Sequence, residues 1–94
     1  MSTETMCLNR ALAAENLSFP TYALIHAVNE NDGPMTVTGI SLATGYSYWA
    51  VRNQIRRTPW FRNIGEPKHT AMILTPEGKE KLARVKKRMA ADHL

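Results

Sequence analysis

VTGISLATGYSYWAVRNQI, residues 37–55, is the stretch on which the reading of this chain turns. Thr38 suits the cap of a brief helix over 39–44, because its hydroxyl can accept from a backbone N–H that a first helical turn leaves without a partner. Gly45 ends that helix, since glycine takes the positive φ of a tight turn without steric cost. Ser47 then caps a second helix, 48–57, which Pro59 stops by removing a backbone donor and restricting the residue before it. Ile40 and Ala43 are expected to point inward from the first helix, and Val51 and Ile55, one turn apart, from the second. That leaves Tyr48, Trp49, Arg52, Asn53 and Arg56 on the outward face.

Two short helices joined at a wide angle by a turn of three or four residues form a helix-turn-helix, whose second member enters the major groove of DNA. The outward residues suit that task. Arginine can bind guanine O6 and N7 bidentately, asparagine can bind adenine N6 and N7, and an aromatic ring can meet a thymine methyl or the sugar-phosphate edge. Ser47 stands at the start of this helix, and Arg57 at its end is placed for a phosphate.

Upstream, residues 6–15 (MCLNRALAAE) favour helix, with Leu8, Leu12 and Ala13 apolar, and residues 1–17 are expected to be an arm or a dimerisation helix. Ser18 can cap the next helix, 19–31, with Pro20 tolerated in its first turn and Tyr22, Ile25, Ala27 and Val28 marking its buried side. Asn31-Asp32-Gly33-Pro34 is a stop and a reversal. Met35-Thr36-Val37 is long enough for a single bridge of strand. Downstream, residues 60–64 and 70–74 read as two strands around the turn residues Gly65 to His69. Thr75-Pro76-Glu77-Gly78 then opens a last helix carrying Leu82, Val85 and Met89.

The order of these elements, the turn ATGYS (Ala43 to Ser47), the hairpin from Trp60 to Leu74 and the junction ILTPEGK (Ile73 to Lys79) resemble the winged helix-turn-helix of bacterial and phage transcription regulators, above all the multiple-antibiotic-resistance repressor (MarR) type. The resemblance covers roughly residues 18–89. It implies a mainly α fold with a small β-hairpin: a three-helix core, a wing and a C-terminal helix, in a domain spanning 18–91. It also implies a homodimer formed through terminal helices, a recognition helix carrying Tyr48, Trp49, Arg52, Asn53 and Arg56, and a wing whose Lys68 and His69 touch the neighbouring minor groove or backbone.

Charge supports a polyanionic partner. The formal net charge is +4, but residues 1–45 hold Arg10 against Glu4, Glu15, Glu30 and Asp32, while the other eleven Lys and Arg face only four acids in the second half. A basic half attracts nucleic acid through summed potential and counterion release. The 94 residues suffice for one domain. No apolar run approaches the roughly 20 residues of a membrane span, and the N-terminus lacks a secretory pattern, so a soluble protein of the bacterial cytosol or of a phage-infected host cell is expected. Cys7, the single cysteine, can form neither an internal disulfide nor a thiolate metal cage.

His26, His69 and His93 follow no metal-ligand spacing. Neither a phosphate-binding glycine loop nor an activated nucleophile nor paired carboxylates beside a base can be found, so no cofactor, small-molecule substrate or enzymatic activity is expected. Several residues admit two readings. Trp49 suits a core as well as a groove, and Trp60 and Phe61 are expected beneath the hairpin. The run 79–88 reads as a solvated face, with Leu82, Val85 and Met89 available to the body or to a second subunit. Two further functions fit the same residues: a protein-interaction module anchored on Tyr48 and Trp49, and an accessory DNA-binding role in replication or recombination of a phage or mobile element.

Overall fold

A computed structural model of the chain describes residues 3–92, so Met1, Ser2, His93 and Leu94 lie outside the account that follows. Five helices and one hairpin succeed each other as α1 (Thr3–Ala14), α2 (Phe19–Glu30), α3 (Val37–Thr44), α4 (Tyr48–Arg57), β1 (Phe61–Asn63), β2 (Met72–Leu74) and α5 (Pro76–Asp92). The mainly α fold with a small hairpin is as expected. Each element contributes to one core, in which Leu24, Ile25, Ile40, Val51 and Val85 are the fully buried side chains. Among the described residues no helix is long and apolar enough to cross a membrane. No group of three or more His, Cys, Asp and Glu among them could hold a metal ion.

Capping explains most boundaries. The Ser18 hydroxyl accepts from the Thr21 N–H at 3.4 Å, and Pro20 sits in the first turn of α2, where no intrahelical acceptor is lost. The buried side of α2 is Thr21, Leu24, Ile25 and Val28. Tyr22 and Ala27, expected on that side, are only partly buried and flank it.

The expected cap of α3 is two residues out. Thr36, not Thr38, accepts from the Gly39 N–H, at 2.8 Å. Beginning the helix at Val37 places Val37, Ile40 and Thr44 on one inward face, and the Val37 N–H is met by the Thr70 hydroxyl at 3.0 Å. The same phase turns Ala43 outward, so it is exposed and not on the inward face expected of it.

Gly45 ends α3 at φ 81°, a conformation that favours glycine, and its N–H returns to the Ser41 carbonyl at 2.9 Å. The Ser41 hydroxyl donates to the Tyr46 carbonyl at 2.6 Å, which secures the turn from a second side. Thr21 donates its hydroxyl hydrogen to Gln54 Oε1 at 3.1 Å, tying α2 to α4 across the core edge.

The hairpin is shorter than the runs 60–64 and 70–74 suggest. Its antiparallel register pairs Phe61 with Leu74, Arg62 with Ile73 and Asn63 with Met72. Beyond it, the Asn63 side chain accepts from the N–H groups of Gly65 and Ala71, both at 2.9 Å, while the Ile64 N–H still donates to the Ala71 carbonyl at 2.9 Å and Glu66 and His69 exchange two backbone bonds at 3.1 Å. Met35 adds the expected single bridge, exchanging two backbone bonds with Met72 at 3.0 and 2.7 Å. At the other end α5 approaches the chain closely, and a Cβ on Gly78 would stand 2.8 Å from the Trp60 carbonyl oxygen. Trp60 and Phe61 are packed partly against the core, as expected.

The first helix packs on the body through Cys7, Ala11 and Leu12. Glu15, just past its end, is buried among three cations of α5: Arg84 Nε donates to it at 2.7 Å, Arg88 Nε at 2.6 Å, and Lys81 Nζ stands at 3.8 Å. The hydrogen bonds from Arg84 and then Arg88 hold the Glu15 carboxyl below its ordinary range, and the bond to Glu15 raises Arg84 in turn.

Candidate nucleic-acid interface

Helix α4 stands on Val51, which is 0% exposed, with Ile55 half-buried one turn later. The Ser47 hydroxyl caps its N-terminus, accepting from the Ala50 N–H at 3.2 Å, and Thr58 closes its C-terminus. At about 100° per residue, Trp49 and Asn53 fall almost opposite Val51, with Arg52 and Arg56 to one side and Arg57 to the other. Arg52, Asn53, Arg56 and Arg57 are all exposed, and Trp49 is 64% exposed. Trp49 therefore belongs to the surface and not to the core.

The two flanks of α4 meet different parts of the molecule. Tyr48, Arg52 and Arg56 border a groove shared with Asn63 and Pro67 of the hairpin. Asn53 and Arg57 border a second groove, formed with Pro20 of α2 and Tyr46 of the turn. Lys68 and His69 are exposed on the hairpin loop but line neither groove. The hairpin residues that line the groove with Arg52 and Arg56 are Asn63, Pro67, Thr70 and Met72, of which sequence reasoning had not singled out Asn63 or Pro67. The signal for Asn63 was present in the Asn63-x-Gly65 spacing of a side-chain-bonded turn.

Electrostatics separate α4 from α5. On α5, Lys81, Arg84 and Arg88 are engaged with Glu15, Arg84 also with Glu80, and Lys86 with Glu30. No acidic residue occurs in α4, and among the described residues Arg52, Arg56 and Arg57 form no ion pair with a carboxylate. Four of the six cations of α5 thus meet a carboxylate within the fold, whereas none of the three arginines on α4 does. Arg52 instead lies over the Trp49 ring, its guanidinium carbon 5.5 Å from the centroid. Tyr48 meets the same ring edge-on, at 5.3 Å and 89°.

The arrangement of α2, α3 and α4 with the hairpin and α5 recurs in a transcriptional regulator of the MarR family from Rhodococcus sp. RHA1. That structure matches over 93% of this chain and 65% of its own, with a TM-score of 0.75 at 18% identity. The fold is the MarR-type winged helix. A second MarR-type fold, the regulator from Silicibacter pomeroyi, matches over 96% of this chain and 64% of its own, with a TM-score of 0.74 at 14% identity. CouR from Rhodococcus jostii RHA1, a structure bound to p-coumaroyl-CoA, also matches, over 93% of this chain and 65% of its own, with a TM-score of 0.71 at 17% identity. The chain therefore spans about two thirds of the length of these structures. No family model and no curated protein sequence matches it.

Proposed function

We propose that this chain is a sequence-specific double-stranded-DNA-binding protein, a small repressor-like transcription regulator that acts as a homodimer with α4 in the major groove. The observation that carries the proposal is the row of exposed arginines on α4, free of carboxylate partners, on a helix anchored by Val51. Such a face loses little by shedding water against phosphates and base edges, because no internal ion pair has to be broken first. The transcription-regulator fold of the matched structures supports the same reading.

In this reading Arg52, Arg56 and Asn53 take base edges, Arg57 takes a phosphate, and Ser47 presents the helix N-terminus to the backbone. Tyr48 and Trp49 stand beside the base-reading Arg52 in this interface, and Lys68 and His69 contact DNA beside the wing. One short helix makes few base contacts, so two half-sites read by a dimer are needed to sum enough free energy. Residues 18–91 form the DNA-binding unit, and the segment before them carries the contact with the second subunit.

Selection of bound duplexes from a random DNA pool tests this directly. A recovered palindrome, bound with an affinity that falls steeply as salt rises, is the expected result. Binding that is insensitive to salt, or a pool from which nothing is enriched, contradicts it and favours a protein-interaction surface centred on Trp49. Binding without any recovered sequence preference favours an accessory architectural role.

A further inference from the structure

A large aromatic side chain standing 64% exposed between arginines calls for a physical account. Trp49 is met by Tyr48, whose ring stands edge-on to it at 5.3 Å, and Tyr48 itself is 40% exposed and borders the hairpin groove. The Trp49 ring also carries the Arg52 guanidinium, at 5.5 Å and about one helical turn away. The three side chains form one cluster at the border of that groove. A guanidinium drawn to an aromatic ring by the ring's quadrupole spends no N–H group on that contact, so its donors stay available. Those donors can reach guanine O6 and N7 together. A long side chain already restrained by such a contact also loses less freedom when it binds.

We propose that Trp49 is a positioning residue, whose ring orients Arg52 to read one guanine of the half-site. The proposal rests on the reading of α4 as the DNA-reading helix and adds a division of labour within it. Arg52 touches the base, Trp49 acts through Arg52, and Tyr48 steadies Trp49. Discrimination at one base pair is the property this cluster controls, while phosphate contacts elsewhere on the surface are independent of it.

The test uses the duplex recovered from the random pool and its single-pair variants, with the variants Trp49→Ala, Trp49→Phe, Arg52→Ala and the Trp49→Ala, Arg52→Ala pair. Trp49→Ala is expected to weaken binding about 5- to 30-fold, the range of a partly desolvated cation–π contact. The loss should fall at the same G·C pair at which Arg52→Ala loses discrimination. Trp49→Phe, which keeps an aromatic face, should restore most of the affinity, and the double variant should bind no more weakly than Arg52→Ala alone. Additive losses in the double variant overturn the proposal, because Trp49 would then contact DNA on its own account. So does a loss in the wild type, absent from Trp49→Ala, when deoxyuridine replaces thymine, since that result assigns the ring to a thymine methyl. Equal weakening on every duplex, random DNA included, overturns it as well. In all three cases the recovered palindrome leaves the DNA-binding reading standing, whereas an unenriched pool removes both.

Discussion

Replacing Arg52, Arg56 and Arg57 together by glutamine is expected to weaken binding to the recovered duplex by more than about 100-fold while leaving the fold unchanged. Each arginine that meets a base edge or phosphate is worth about 1–3 kcal/mol, so the three together remove at least about 3 kcal/mol. The thermal melt should hardly move, because the three side chains are exposed and no carboxylate partner is left behind. The singles should separate by role. Arg52→Ala is expected to relax preference at one base pair, and Arg57→Ala to weaken all sequences alike and flatten the salt dependence by about one phosphate contact. Titration of labelled duplexes across a salt series measures both. A triple variant that binds as tightly as the wild type would remove α4 from the interface.

The second large effect concerns the anchor and not the surface. Val51→Asp puts a carboxyl where the side chain is 0% exposed, among core residues that include Leu24, Ile25 and Ile40. A fully buried carboxyl with no partner is pushed up by about 3–5 pK units, so at pH 7 the fold carries it largely protonated at a cost of about 4 kcal/mol, with the lost apolar contacts of the valine adding about 1.5–3 kcal/mol. That is comparable with the whole stability of a domain this size, about 5–14 kcal/mol. Loss of the cooperative melt, or a transition far below that of the wild type, is the expected outcome by circular dichroism. Val51→Ala gives the graded control: the lost methyl groups and the residual cavity cost about 2 kcal/mol, lowering the midpoint by roughly 10 °C with DNA preference retained. A Val51→Asp protein that melts like the wild type would mean that α4 is not held as described.

Much of α4 was legible from sequence because its signals are local and agree with one another. Ser47 caps it, Pro59 lies just beyond its end, and Val51 with Ile55 sets its phase, so the outward positions of Arg52, Asn53, Arg56 and Arg57 follow from helical geometry alone. The first helix of the motif was less legible. Thr36 and Thr38 are equally good caps in isolation, and the choice between them is made by the burial of Val37 and by the bond from its N–H to Thr70, thirty-three residues away. Ala43 followed that error of phase and proved exposed.

The wing shows the same limit in another form. Aromatic and apolar runs located both strands, but the Asn63 side chain takes the Ala71 N–H, which leaves the Ile64–Ala71 pair with one backbone bond, and the regular strands stop at the Asn63–Met72 pair. Charge counting could not distinguish the basic residues of α5 from those of α4. Their difference lies in Glu15 and Glu30, which are remote in sequence yet placed by the fold beside Lys81, Arg84, Lys86 and Arg88. Composition pointed to a basic half, and only tertiary structure shows which part of it stays uncompensated.

In the proposed complex the arginine face of α4 occupies the major groove, where guanine exposes N7. Dimethyl sulfate reactivity of the recovered duplex, with and without protein, measures this most directly, since the reagent attacks guanine N7 in the major groove and adenine N3 in the minor groove. Protection of guanine N7 in each half-site, lost at one guanine in Arg52→Ala, is the expected result. Undiminished N7 reactivity in a fully bound duplex, with protection confined to adenine N3, would contradict it.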